Sequence, residues 1–232
     1  MTVLEVDIIE AGYEVHEPKI HEIQFEVKPG ELVGLIGPNG AGKSTTMKSL
    51  MGLLKHCKGE IRFTGPQQSY GYIPEKPIMY DAMTLWEHLE LAAAAYNLPM
   101  DVFERRANEL LRQFRLQDVK HQLPASFSKG MQQKMMLVIG FLTEPDVYIV
   151  DEPFVGLDPR ATKDFLRMLD LERERGAGVL MSTHVLDTAE RICSSFVMVD
   201  QGRVVASGTL AEIQAQSGLP DGTLLDCFDA LT

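Results

Sequence analysis

Residues 37–44 read Gly37-Pro38-Asn39-Gly40-Ala41-Gly42-Lys43-Ser44 and match the pattern G-x-x-x-x-G-K-[ST]. They follow an almost wholly apolar run, Leu32 to Ile36, and precede a predicted helix. In such a loop several backbone N–H groups point inward, and the positive end of the following helix also favours a bound polyphosphate. Lys43 is expected to reach the β and γ phosphates, and Ser44 to place its hydroxyl on Mg²⁺.

Two other interpretations of this loop are weaker. In a simple tight turn the lysine and serine would be incidental, but a flanking strand and a flanking helix are both predicted here. A dinucleotide site shares the glycine spacing but has no use for Lys43 and Ser44 at these positions.

The overall composition excludes several classes of protein. The 232 residues are 45% hydrophobic and 24% charged, which is typical of a globular protein and not of a disordered or collagenous one. Lys and Arg number 22 against 33 Asp and Glu, and the net charge of −11 argues against a general nucleic-acid binder because it repels phosphate backbones.

Three isolated cysteines favour a reducing compartment. We expect no secretion signal, since acids stand where a signal peptide has bases, and the longest apolar run, Met135 to Leu142, is too short to span a membrane.

The order of predicted elements indicates an α/β fold. Leu4 to Ile8 and Ile23 to Val27 alternate in polarity and predict two half-buried strands of an antiparallel edge. Strands at 147–150 and 179–181, joined by a helix from Pro159 to Glu174, predict parallel strands with right-handed crossovers. A hairpin over 196–206 and a helical tail from Thr209 complete the chain.

A helical block interrupts this alternation. Thr84 begins a capping box, and the apolar spacing from Phe103 to Phe114 predicts a helix opened by Asp101. A third helix is predicted over 128–142. We therefore expect one domain over residues 1–232 with an inserted helical subdomain over 76–143.

A second acidic motif follows a predicted buried strand. Val147 to Val150 delivers Asp151 to the strand tip, where its carboxylate can hold the Mg²⁺ shell. The next residue, Glu152, can accept a proton from the water that attacks the γ-phosphate. Alone, this pair would be read as a solvated strand end. Together with the phosphate loop it indicates a hydrolytic site.

His184 follows another apolar strand through Ser182-Thr183. At a third strand tip its imidazole would be well placed to sense the γ-phosphate. An ordinary polar residue at a helix start, with Thr183 as the N-cap, explains the position equally well.

Two further motifs complete a known constellation. Ser128-Lys129-Gly130-Met131-Gln132-Gln133 precedes Asp151-Glu152, and Gly156-Leu157-Asp158 follows it. With the phosphate loop and His184, the chain resembles the ATP-binding subunit of an ABC transporter. The resemblance implies a P-loop NTPase core of ABC type, and a homodimer or heterodimer of ATPase subunits that clamps ATP head-to-tail. Ser128 and Gly130 would then contact the γ-phosphate held by the partner subunit.

The resemblance also assigns roles to individual residues. Tyr13, thirty positions before Lys43, is placed like the aromatic residue that stacks on adenine, although it is equally a strand-end tyrosine. Asp158 resembles the residue that couples the two sites and also fits a helix N-cap. Catalytic roles fall to Lys43, Glu152 and His184, and metal contacts to Ser44, Asp151 and Glu75. The residues assigned to nucleotide binding are Tyr13, Gly37, Pro38, Asn39, Gly40, Ala41, Gly42, Lys43, Ser44, Thr45, Ser128, Gly130 and Asp158.

Two departures from the usual family pattern both resemble one branch of the family. Lys129 and Met131 stand where a second glycine and a glutamine are usual, and Glu75 stands where the loop that links nucleotide to permease normally has glutamine. Both forms are similar to those of efflux-type systems whose permease is a separate chain. The resemblance therefore implies export, a polytopic permease partner, no nucleic-acid partner, and a cytoplasmic position on the inner face of the cell membrane.

Two rival functions stay open. A soluble ABC-type ATPase that acts on nucleic acid or ribosomes is disfavoured, because only 108 positions separate Lys43 from Asp151 and the chain has one cassette. A degenerate cassette that holds ATP without cleaving it is compatible with the altered signature. Retention of Glu152 and His184 argues against it.

Overall fold

The computed structural model describes residues 1–232 and contains two β-sheets with helices packed around them. A six-stranded sheet has the order β5-β6-β7-β3-β8-β9 and is parallel except for the terminal β8-β9 hairpin. A smaller antiparallel sheet has the order β2-β1-β4. The strands are β1 Leu4–Gly12, β2 Ile20–Val27, β3 Leu32–Ile36, β4 His56–Phe63, β5 Tyr70–Ile73, β6 Val147–Asp151, β7 Gly178–Thr183, β8 Ser195–Asp200 and β9 Arg203–Gly208. The predicted α/β class and antiparallel edge are confirmed.

Eight α-helices connect and cover the strands. They are α1 Lys43–Leu50, α2 Leu85–Ala95, α3 Met100–Gln113, α4 Lys129–Leu142, α5 Pro159–Arg175, α6 Leu186–Ile192, α7 Leu210–Ser217 and α8 Leu224–Leu231. No helix of the chain is both long enough and apolar enough to cross a membrane.

The central strands are buried on both faces. Every residue of β3, β6 and β7 is buried, as expected of parallel strands covered on two sides. One face of the large sheet packs on the smaller sheet through residues such as Val33 and Leu35. The other face packs on the helices, where Phe141 and Phe165 belong to the same apolar cluster as Tyr148. This double packing holds the carboxyl ends of β3, β6 and β7 in fixed positions.

The three helices α2, α3 and α4 lie in the chain between β5 and β6, which are neighbours in the sheet. Thr84 caps α2 in a capping box with Glu87, as predicted. The predicted start of α3 at Asp101 is wrong, because the helix begins at Met100 with Pro99 as its N-cap residue. Asp101 lies in the first turn, where its carboxylate interacts favourably with the positive end of the helix.

Candidate functional site

One cavity of about 390 Å³ lies at the carboxyl ends of three adjacent parallel strands, β6, β7 and β3. Ligands of open α/β sheets bind at this edge. The cavity brings together most of the residues that the sequence singled out. Those that line it are Tyr13, Asn39, Gly40, Gly42, Lys43, Ser44, Thr45, Glu75, Asp151, Glu152 and His184, together with Lys19 and Val155.

The loop between β3 and α1 depends on glycine where it is most tightly packed. Gly42 has φ +113°, and a Cβ there would lie 2.7 Å from Cγ2 of Ile20. A Cβ on Gly37 would lie 2.1 Å from the carbonyl oxygen of Val199. No residue with a side chain fits these two positions unless the backbone moves. The curled path of the loop therefore requires glycine at both. Pro38 and Ala41 supply backbone to the same curl without lining the cavity.

Lys43 begins α1 and turns its side chain back into the loop. Its Nζ donates hydrogen bonds to the carbonyl oxygens of Gly37 and Pro38, at 2.7 and 3.2 Å. The side chain is buried, and this burial lowers the pKa of Lys43 although Glu152 and Asp151 oppose the shift. A positive charge is therefore held at the mouth of the loop, where little water screens it.

Asp151 ends β6 and is fixed by a hydrogen bond from the next strand. The hydroxyl of Ser182, which is paired with Asp151 across the parallel strands, donates a hydrogen bond to its Oδ1. Burial and the nearby Asp151 carboxylate raise the pKa of Tyr72 to about 12, so its phenol stays protonated beside that carboxylate. The position of the Asp151 carboxylate is thus set before any ligand arrives.

Glu152 and His184 are in direct contact. Nδ1 of His184 lies 2.8 Å from Oε1 of Glu152. The Glu152 backbone is left-handed, with φ +45°, and its N–H donates to the carbonyl and hydroxyl oxygens of Ser182, each at 3.2 Å. Because an ionised carboxylate only accepts hydrogen bonds, Nδ1 carries the proton in this pair.

The donor set of the cavity fits a magnesium ion. Ser44, Asp151 and Glu75 all contribute oxygen atoms, which are the ligands that Mg²⁺ prefers. The chain contains no cluster of three or more His, Cys, Asp and Glu residues that would hold a metal alone. Mg²⁺ is typically bound by one or two protein oxygens and completed by substrate phosphates, so this small donor set suits a nucleotide-bound ion.

Six of the predicted residues do not line this cavity. Gly37, Pro38 and Ala41 belong to the phosphate loop itself, whereas Ser128, Gly130 and Asp158 lie in other parts of the chain. Ser128 is the N-cap of α4 and accepts a hydrogen bond from the backbone N–H of Met131. Gly130 faces the turn before α5, since a Cβ there would lie 3.2 Å from the carbonyl oxygen of Gly156. Asp158 is the N-cap of α5. Within one chain, Ser128, Gly130 and Asp158 are therefore separate from the residues around Lys43.

A larger groove of about 720 Å³ has the wrong charge for a phosphate ligand. It is lined by parts of β1, β2, β4, β8 and β9, with six carboxylates against two basic side chains. None of the residues predicted for the site lines it. The smaller cavity at the strand ends is therefore the candidate site.

Several contributors were not found from the sequence. Ser182 holds Asp151 by a hydrogen bond, Tyr72 lies beside Asp151, and Lys19 lines the cavity. Ser182 could have been found from the strand order, because it pairs with Asp151 in adjacent strands. Tyr72 and Lys19 carry no local signal in the sequence.

Comparison with known proteins identifies related chains. Residues 20–155 match the model of the family described as ABC transporter. The chain is 51% identical over 225 residues to the uncharacterized ABC transporter ATP-binding protein YthP of Bacillus subtilis (strain 168), covering 97% of this chain and 94% of YthP. It is 44% identical over 241 residues to the ABC-type transporter ATP-binding protein EcsA of the same organism, covering 100% of this chain and 97% of EcsA. A solved structure of an ATP binding subunit of an ABC transporter superposes with a TM-score of 0.93 at 46% identity and covers 99% of both chains.

Proposed function

Because the chain belongs to the ABC transporter family, as an ATP-binding subunit with ATPase activity, we propose that it hydrolyses magnesium-bound ATP in the Lys43 cavity and drives export through a separate membrane permease. The observation that carries the proposal is the contact between Glu152 and His184 in the cavity that also holds Lys43. A base, a phosphate-binding cation and a polar ring in one cavity suit the hydrolysis of a phosphoanhydride bond.

The phosphate loop binds and orients the nucleotide. Its backbone N–H groups, the N-terminus of α1 and the ammonium group of Lys43 offset the charge of the phosphates. Ser44, Asp151 and Glu75 are the residues that would hold Mg²⁺, which when bound neutralises charge on the phosphate oxygens. Tyr13, which lines the same cavity, stacks on the adenine base.

Glu152 is the general base for the attacking water. One of its carboxylate oxygens is occupied by His184, which leaves the other free to accept a proton from water. With Nδ1 bound to Glu152, the ring of His184 can donate to a phosphate oxygen from Nε2 when it is doubly protonated. His184 thus orients Glu152 and holds the γ-phosphate at the same time.

A dimer would complete the site. Ser128, Gly130 and Asp158 lie outside the cavity of their own chain, and in a head-to-tail dimer they would contact the nucleotide of the partner subunit. Ser128 stands at the N-terminus of α4, whose positive end favours a phosphate. The partner is a second copy of this chain or a related ATPase subunit.

The permease partner and the direction of transport are supported by the sequence. Lys129, Met131 and Glu75 resemble the forms of efflux-type systems with a separate permease chain. The chain would then act as one nucleotide-binding domain, with residues 76–143 as a helical subdomain that receives the permease. It would work in the cytoplasm, at the inner face of the cell membrane.

Turnover of the purified protein tests the catalytic part of the proposal. Replacing Glu152 by Gln removes the base but keeps the size of the side chain, and we expect turnover of ATP to fall by about 10²- to 10⁴-fold while ATP still binds. Glu174→Gln, at an exposed position of α5, is the matched control and should leave turnover unchanged. Equal turnover in Glu152→Gln and wild-type protein would rule out the proposed base.

Copurification from detergent-solubilised membranes tests the partner. We expect a polytopic membrane protein to accompany the chain. A ribosomal or DNA-bound companion instead would favour the soluble ATPase as the alternative function.

A further inference from the structure

Tyr13 lies on an exposed loop, so its ring keeps one orientation only if another part of the protein contacts it. Tyr13 directly follows β1, its side chain is exposed, and residues 14–17 after it are exposed as well. A side chain on such a loop samples several rotamers unless a rigid element holds it. The helix that contacts this side chain is α1, which begins at Lys43.

Lys48 supplies the anchor from α1. Its Nζ donates a hydrogen bond to the phenolic oxygen of Tyr13 at 3.1 Å and lies 5.0 Å from the centre of the ring. The ammonium group therefore contacts both the hydroxyl and the π-system of Tyr13. Burial opposes ionisation of the phenol, but interactions with Lys48 and Thr45 outweigh it and lower the pKa of Tyr13.

Lys48 is free of other partners. It forms no ion pair with any carboxylate, and it does not line the cavity, although Tyr13 does. Ser44 lies four residues earlier on the same face of α1, so Lys48 is one helical turn below the phosphate-binding end. Its effect on a bound nucleotide must therefore act mainly through the Tyr13 ring.

We propose that Lys48 is a positioning residue that fixes the Tyr13 ring in the orientation in which it stacks on the adenine base. The inference rests on the proposed function, in which Tyr13 contacts adenine. It adds a residue that touches no part of the nucleotide and yet contributes to recognition of the base.

The expected effect follows from preorganisation. Without Lys48 the Tyr13 ring must be ordered when the base binds, and ordering one side chain weakens binding by roughly 3- to 10-fold. Removing the ring itself deletes the stacking contact and should weaken binding by roughly 5- to 100-fold. Only ligands with a base can report these losses.

The experiment compares two ligands on one set of proteins. Dissociation constants for ATP and for inorganic tripolyphosphate, both with Mg²⁺, are measured for wild-type protein, Lys48→Met, Lys48→Arg, Tyr13→Ala and the double variant. Lys55→Met is the control, since Lys55 is exposed just after α1 and makes no ion pair or side-chain hydrogen bond. Unchanged tripolyphosphate affinity also shows that a variant has folded.

The proposal predicts a pattern across these variants. Lys48→Met weakens ATP binding by roughly 3- to 10-fold and leaves tripolyphosphate binding unchanged, Lys48→Arg recovers most of the ATP affinity, and Lys55→Met matches wild type. In the Tyr13→Ala background the Lys48→Met substitution has no further effect, because the ring that it positions is gone.

Three results would overturn the proposal. An equal loss for ATP and tripolyphosphate in Lys48→Met would show that Lys48 acts on the phosphates through its charge. Full ATP affinity in Lys48→Met, with a loss in Tyr13→Ala, would remove Lys48 and leave Tyr13 as the stacking residue. Full ATP affinity in Tyr13→Ala would overturn both the inference and the adenine contact of the proposed function.

Discussion

Lys134 of α4 donates a hydrogen bond from its Nζ to Oδ2 of Asp158, over a distance of 2.9 Å. The other oxygen of Asp158 accepts from the backbone N–H of Ala161 and caps α5. One carboxylate therefore joins the helix that begins after Ser128 to the helix that follows the Asp151-Glu152 strand. Hydrogen bonding to Ala161 and to Lys134 lowers the pKa of Asp158.

This double role predicts a ranking of variants. Asp158→Asn keeps a capping oxygen but loses the charge, so it should lower the melting temperature by about as much as Lys134→Met. Asp158→Ala loses both the cap and the bridge and should lower it more than either. Thermal unfolding followed by circular dichroism measures the order, and equal melting temperatures for Asp158→Ala and Asp158→Asn would contradict the capping role.

Arg106 of α3 donates hydrogen bonds to the C-terminal end of α4. Its Nε and Nη2 donate to the carbonyl oxygens of Leu142 and Phe141, at 2.9 and 2.6 Å, and its Nη1 pairs with Glu144. The buried carboxylate of Glu172 lies 4.0 Å away. Arg106→Met would leave the two carbonyl oxygens and Glu144 without this partner, although Glu172 keeps its ion pair with Arg175, and we expect a loss of unfolding free energy on the order of 3 kcal/mol.

Urea denaturation measures that loss. Arg105 is exposed on α3 and forms neither an ion pair nor a side-chain hydrogen bond, so Arg105→Met is the matched control. If Arg106→Met were as stable as Arg105→Met, the contacts of Arg106 would contribute nothing to the fold.

Two glycines of the phosphate loop, Gly37 and Gly40, should differ in how well they tolerate substitution by alanine. A Cβ at Gly40, where φ is +88°, would meet nothing within 4 Å, so Gly40→Ala should cost only the backbone strain of about 1–2 kcal/mol. A Cβ at Gly37 would collide with the Val199 carbonyl oxygen and force the backbone to move. Gly37→Ala should therefore unfold at a clearly lower temperature than Gly40→Ala, and the reverse order would show that the loop has another path.

The lowered pKa of Lys43 predicts how stability changes with pH. The unfolded chain binds this proton more tightly than the folded chain does, so burial of the charged amine disfavours folding below the folded pKa. That disadvantage disappears as the pH rises through the folded pKa towards 10.5, the ordinary value for lysine. The melting temperature of wild-type protein relative to Lys43→Met should therefore increase between pH 8 and pH 10.5.

The same experiment has an internal control. Lys163 is exposed on α5, and the difference between wild-type protein and Lys163→Met should stay flat over this range. A falling difference for Lys43→Met would mean that the pKa of Lys43 is raised in the folded protein.

Local sequence signals predicted the elements with clear polarity patterns. The buried strands before Gly37 and Asp151, and the capped helix after Thr84, all lie where they were expected. Strand β4 was not predicted, because only His56 in it is buried and no alternation of apolar residues marks it. Strand β5 has four residues, which is too short for a periodic signal.

The residues that support the candidate site could not be predicted from the sequence, because they act through contacts between distant elements. The motifs predicted that Lys43, Glu152 and His184 would meet, because each follows a strand of one sheet. The supports of the site come from residues with no motif of their own. Lys48 contacts Tyr13, which lies 35 positions away in the sequence. Arg106 contacts Phe141 near the end of α4, also 35 positions away. Such contacts are set by packing and cannot be read from local spacing.

The central claim is that the loop ending in Lys43 and Ser44 binds a magnesium-bound triphosphate, and calorimetric titration with Mg–ATP tests it most directly. The wild-type protein should bind with measurable heat, and Lys43→Met should lose that binding while its circular dichroism spectrum stays that of the folded protein. A wild-type titration without heat, or equal dissociation constants for wild-type protein and Lys43→Met, would contradict the claim.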